Sequence, residues 1–141
     1  RSNDPSSQVG ACIVDSKTNR ILSVGYNGLP KHCSDDEYPW IKEGEALDTK
    51  YPYVVHAELN AILNNRGTSL EGSSLYTTLF PCNECAKAII QSGIKEIIYL
   101  SDKHYESTEV KASKKMLTSA GVSFNQFDAG RDSIELRFRD K

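Results

Sequence analysis

Two short motifs carry the chemistry this sequence can perform: His56-Ala57-Glu58 and Pro81-Cys82-Asn83-Glu84-Cys85. One histidine and two cysteines make three ligands for a single Zn2+. A structural zinc site uses four protein ligands, whereas a catalytic one keeps a position open for water. Cysteines at i and i+3 of one helical turn share a face, so Cys82 and Cys85 can both reach one ion. The partial positive charge of a helix N-terminus, together with the metal, favours their thiolate forms. Zinc brings bound water toward a pKa of about 7 and so supplies a nucleophile at neutral pH. Glu58 follows the histidine by two residues and can sit beside the metal without binding it. A carboxylate placed there takes a proton from water and hands it to a ring nitrogen and then to a leaving amine. Those are the proton movements of hydrolytic deamination. The expected metal ligands are therefore His56, Cys82 and Cys85, and the expected catalytic residue is Glu58.

The elements that must position these motifs follow from residue pattern. Gln8 to Asp15 and Arg20 to Tyr26 are apolar and β-branched enough to be strands, joined as a hairpin by the polar turn Ser16 to Asn19. Asn27 to Pro52 is long, polar and rich in Gly, Pro and Asp; a loop of that length in a compact domain is usually functional or mobile. Val55 to Asn65 sets Ala57, Ala61 and Ile62 at helical spacing, and Gly67 ends the pattern. Ser73 to Thr78 reads as a strand. Pro81 then opens a second helix, Cys82 to Gln91, closed by Gly93. Lys95 to Leu100 is nearly all apolar, as expected of a buried sheet centre. Ser107 to Ala120 is a third helix, and Val122 to Phe127 a short strand. Ile134 to Phe138 alternates apolar and polar, which suits an edge strand or packing on a partner. The alternation of strands and helices predicts an α/β fold, a three-layer α/β/α domain with a mixed five-stranded central sheet. Each motif falls at the start of a helix, and the two starts can face one crevice.

Composition fits one globular domain. The chain has 141 residues, 38% hydrophobic and 26% charged. No apolar run reaches the roughly 18 residues needed to span a bilayer, and no secretory leader is visible. The start at Arg1 rather than Met reads as a trimmed one. The formal net charge of −2, from 17 basic and 19 acidic residues, argues against a duplex-binding protein. It is compatible with a small anionic substrate held by one or two local cations. Four cysteines, two of them in Cys-x-x-Cys spacing, read first as metal or redox chemistry in a reducing, cytoplasmic compartment. Cys-x-x-Cys alone is a weak signal. Preceded at this distance by His-x-Glu, Pro-Cys-x-x-Cys is the pattern of zinc deaminases. A structural zinc site would have no use for Glu58, and a redox dithiol none for His56 or Glu58.

At these residues the sequence resembles the deoxycytidylate (dCMP) deaminase family, within the cytidine deaminase superfamily. The likeness extends beyond the metal motifs. It includes Arg1 to Pro5 with Val9-Gly10-Ala11, the segment Gly25-Tyr26-Asn27-Gly28-Leu29-Pro30, and Cys33 to Asp36. It also includes Asp48 to Tyr53, His56 to Ala61 and Phe80 to Ala86, and covers roughly residues 1–127. The resemblance implies a cytidine deaminase-like fold, conversion of dCMP to dUMP for dTMP synthesis, and a homohexamer. It further implies activation by dCTP, with Mg2+ accompanying that triphosphate, and inhibition by dTTP. Asn27 would contact the sugar hydroxyl, and the Ala57 N–H and Pro81 carbonyl would grip the pyrimidine edge. Gly28, Leu29 and Pro30 would touch the effector.

Among other residues, Asn60 lies one helical turn from His56 and could orient substrate, or simply be polar at the helix edge. Lys50 could reach a phosphate, although most lone lysines are solvated. Tyr105, with His104, follows the strand ending at Leu100, and ligands of open α/β sheets bind beyond strand carboxyl ends. Rival readings are a deaminase of dCTP or deoxycytidine, a nucleic-acid deaminase, and a silent zinc domain. The acidic balance speaks against nucleic acid as a partner, and the retained Glu58 against silence.

Overall fold

The computed structural model describes residues 2–128, 130, 133 and 135–137. Strands β1 (Gly10–Val14) and β2 (Ile21–Tyr26) form the expected antiparallel hairpin. Its turn is set by Asp15, whose carboxylate accepts the N–H groups of Lys17 and Thr18, and by Asn19 at φ 59°. β1 also pairs antiparallel with β3 (Ser74–Leu79). β3 runs parallel to β4 (Glu96–Ser101), and β4 parallel to β5 (Ser123–Gln126). Parallel neighbours need crossover connections. These are the helices α2 (Asn83–Gln91) and α3 (Thr108–Ser119). The result is a mixed five-stranded sheet in the order β2-β1-β3-β4-β5.

Side chains alternate across a strand. Ala11, Ile13, Leu75 and Ile97 are therefore buried on one face. Against them pack Ala57 and Ala61 of α1 (Ala57–Leu63), Ala86 and Ile89 of α2, and Val110 and Leu117 of α3. The other face carries the cross-strand row Val24, Cys12, Tyr76 and Ile98, in which Val24 and Tyr76 are exposed. The described residues thus supply the sheet and one helical layer. β3 is the central strand, where the apolar run of residues 95–100 suggested β4. The run is buried at Ile97 but exposes Leu100 on the other face. Of the expected tail strand, residues 134 and 138 lie outside the described residues, as do Arg139 and Lys141, and residues 135–137 carry no strand.

α1 sits directly on the edge strand β2 because the contact is made of small residues. A Cβ on Gly25 would lie 2.4 Å from the Ala61 nitrogen and 2.5 Å from the Ala57 carbonyl. Ser23 donates to the Ala61 carbonyl at 2.6 Å. Asn60 and Asn64 donate to the carbonyls of Tyr26 (2.8 Å) and Val24 (3.0 Å). The helix thereby covers polar groups that an edge strand would otherwise offer to another chain. Gly25→Ala must push α1 away and carry His56 and Glu58 with it. The expected cost is about 1–3 kcal/mol or more, with a parallel loss of turnover. Urea midpoints and rates check this; unchanged values for both would refute the contact.

Candidate active site

Helix α1 begins at its N-cap His56 and helix α2 at its N-cap Cys82, so each motif stands one residue earlier than a helical reading of it suggests. Pro81 is fully buried just before the second cap. Cys85 is on the first turn of α2 and faces inward. The His56 Nδ1 atom lies 3.4 Å from each of the two sulfurs. All three ligand atoms lie within 4.8 Å of one another. Among the described residues no other group of three or more His, Cys, Asp or Glu side chains is gathered in this way.

The donor set fits zinc by its chemistry. The Cys82 sulfur is pulled down to about 4 by the hydrogen bond from the Cys85 thiol, against burial, with help from His56. Cys85 is pushed up, because it hydrogen-bonds the Cys82 sulfur and is buried near Glu58. The neighbouring Cys82 sulfur also raises His56, in spite of its burial. Two sulfurs competing for one negative charge suit a borderline-soft divalent cation, which stabilises both thiolates together.

Glu58 lies beside the three ligands and is itself only 4% exposed. Burial raises its carboxyl above the ordinary range, partly offset by its own backbone N–H, by Thr77 and by His56. The Thr77 hydroxyl lies 2.8 Å from Glu58 Oε1 and 3.0 Å from the Leu79 carbonyl. A hydroxyl both donates and accepts. Thr77 can therefore donate to the ionised carboxylate, or accept from the protonated acid while donating to Leu79. Glu58 is thus supported in both protonation states, as a proton shuttle requires.

A cavity of about 320 Å³ opens over this group, lined by His56, Ala57, Glu58 and Cys82 together with Asn27, His104, Ser107 and Glu109. Asn27 is buried at its edge and its amide is engaged. Oδ1 accepts the Val9 N–H at 2.9 Å, and Nδ2 donates to the Ser7 carbonyl at 2.7 Å. Lys50 is also buried, with its ammonium 2.5 Å from Asp4. Burial alone would raise the Asp4 carboxyl, but Lys50 and the Ser6 and Ser7 N–H groups together hold it below its ordinary value. This pair ties the N-terminal segment to the long loop.

The structure brings His56, Ala57, Glu58, Cys82, Cys85 and Asn27 together around one site. Asn60 is turned to the β2 carbonyl, and neither it nor Tyr105 lines the cavity; the neighbouring His104 does. Gly28 is bridged to Val55 by two backbone hydrogen bonds, of 3.1 and 2.7 Å, immediately before the ligand His56. Leu29 and Pro30 do not line the cavity. Sequence reasoning missed Thr77, Ser107 and Glu109. Thr77 was marked by nothing beyond an ordinary place in a strand. Ser107 could have been found as the cap of α3, where its hydroxyl accepts from the Val110 N–H.

Comparison with known proteins agrees with this geometry. The family model described as the cytidine and deoxycytidylate deaminase zinc-binding region matches residues 1–101. The deoxycytidylate deaminase of Homo sapiens is 59% identical over 128 residues, covering 90% of this chain and 71% of that protein. The deoxycytidylate deaminase of Mus musculus is 55% identical over 139 residues, covering 98% and 78%. Among solved structures, the dCMP deaminase of cyanophage S-TIM5 in complex with dCMP and dUMP superposes with a TM-score of 0.65 and 31% identity, over 84% of this chain and 80% of that one. That likeness places the mixed five-stranded sheet within the expected α/β/α class. No helix of the described residues is long and apolar enough to cross a membrane.

Proposed function

The chain belongs to the cytidine and deoxycytidylate deaminase family, and we propose that it hydrolyses dCMP to dUMP and ammonia at one Zn2+ held by His56, Cys82 and Cys85. The observation that carries this reading is the convergence of three ligand atoms within 4.8 Å, beside a cavity lined by two of the ligands, His56 and Cys82, and by Glu58. Zinc, when bound, supplies the Lewis acidity that makes water nucleophilic at neutral pH. Glu58 takes a proton as water adds to C4 of the cytosine, and delivers it to ring N3. It takes a second proton from the new C4 hydroxyl and gives it to the departing amine, which leaves as ammonia while a uracil carbonyl forms. Thr77 holds the carboxyl in each state. As the family resemblance implies, the Ala57 N–H and the Pro81 carbonyl hold the pyrimidine edge and Asn27 the sugar end; Ala57 and Asn27 line the cavity, and Pro81 is buried between the lining residues Phe80 and Cys82.

The dUMP formed serves dTMP synthesis in the cytoplasm, and the working form is a homohexamer. dCTP with Mg2+ activates and dTTP inhibits through the segment Gly28 to Pro30. The ladder from Gly28 to Val55 offers that segment a backbone route to His56. Rates on dCMP, dCTP and deoxycytidine, with and without dCTP plus Mg2+ or dTTP, test the proposal. dCMP is expected to be the preferred substrate, with its turnover raised by dCTP and lowered by dTTP. Preference for deoxycytidine or dCTP would overturn the substrate, and indifference to both triphosphates would overturn the regulation.

A further inference from the structure

We propose that Lys103 and Lys42 form the subsite that reads the substrate's 5′-phosphate, and that they, rather than the buried Lys50, set the preference for a nucleoside monophosphate over a nucleoside. The inference rests on the reading of this cavity as a dCMP deaminase site.

A second cavity, of about 290 Å³, adjoins the one over the metal ligands, and both are lined by Asn27, His56, Leu79 and His104. A nucleotide whose base lies against the metal ligands can extend its sugar-phosphate end into this neighbour. Three lysines line it: Lys42 from the long loop, Lys50, and Lys103 from the turn after β4. Lys103 stands beyond the carboxyl end of a sheet strand, where ligands of open α/β sheets bind.

Charge distinguishes the three lysines. The Lys50 ammonium is spent on Asp4 at 2.5 Å, with both side chains buried, so this pair presents no net charge to the cavity. Asp102, next to Lys103, is held by Lys114 at 2.6 Å. Glu58 and Glu109 line the first cavity and not the second. Among the described residues, neither Lys42 nor Lys103 has a carboxylate within ion-pair distance. Two exposed lysines from separate segments thus line a space whose one acidic lining residue, Asp4, is already paired. A phosphate monoester, with a charge of about −1.5 to −2 at neutral pH, matches them.

The test compares kcat/KM for dCMP and for deoxycytidine, using zinc-loaded full chain. The variants are Lys103→Ala, Lys42→Ala and the double variant, with Lys115→Ala on α3 as control. The ratio of dCMP to deoxycytidine is expected to fall about 10- to 100-fold for each lysine of the pair. It should keep its wild-type value in Lys115→Ala. Inorganic phosphate should compete with dCMP in the wild type and lose potency in Lys103→Ala. A wild type that prefers dCMP, with the ratio unchanged in the double variant, would overturn the assignment and leave the dCMP reading standing. A wild type without preference for dCMP would overturn both.

Discussion

Glu58→Gln is expected to yield a folded, zinc-binding protein whose turnover is lower by about 10²–10⁴-fold, the usual contribution of a positioned general acid–base. The substitution keeps the size and shape of the side chain and its bond to Thr77, which lies 2.8 Å away. What it removes is the ability to carry one proton from water to ring N3 and a second from the C4 hydroxyl to the departing amine. Glu58 is well suited to that role: burial raises its carboxyl above the ordinary range, toward the pH at which it must both accept and release protons. Metal content measured beside the rate separates this account from a structural one. Loss of zinc with loss of rate would make Glu58 a support of the metal site, whereas a parental rate with bound zinc would refute the proton shuttle.

Cys85→Ser should act on the metal itself. Cys85 is 3% exposed and shares the first turn of α2 with its N-cap Cys82. A serine hydroxyl in its place is a poor zinc ligand, and it leaves one histidine and one thiolate. Changes in groups that merely orient ligands cost about 10–100-fold in metal affinity or activity, and loss of a ligand should cost more. The variant is expected to retain well under one zinc per chain and to lose measurable turnover. A strong chelator should silence the wild type reversibly, with activity restored by added Zn2+. Full zinc content and full turnover in the variant would exclude Cys85 from the ligand set.

The metal site was legible in the sequence because its geometry is local. His56-x-Glu58 and Cys82-x-x-Cys85 each span one helix cap and the first turn after it, so two or three residues of chain suffice to set the side chains of each motif beside one another. The same holds for the strand and helix order, where apolar periodicity and Gly or Pro punctuation sufficed. What escaped depends on contacts between distant segments. Thr77 supports Glu58 only because β3, distant in sequence, brings its hydroxyl to the first turn of α1. Gly25 matters only because α1 lands on β2 at backbone distance. Lys50 was read as a phosphate candidate from its place in a polar loop, and its burial against Asp4 depends on a partner at the far end of the chain. Asn60 has the spacing to face substrate but turns to the edge of the sheet, where an unpaired carbonyl needs a donor. The choice of β3 over β4 as central strand follows from β1 pairing with β3, which no local pattern encodes.

The most direct measurement is the product balance of the zinc-loaded protein with dCMP: dUMP followed by the change in ultraviolet absorbance from cytosine to uracil, and ammonia assayed in the same sample. The expected result is equal amounts of dUMP and ammonia, formed in proportion to bound zinc and absent after chelation. Folded, zinc-loaded protein that leaves dCMP intact, with or without dCTP and Mg2+, would contradict the account at its centre.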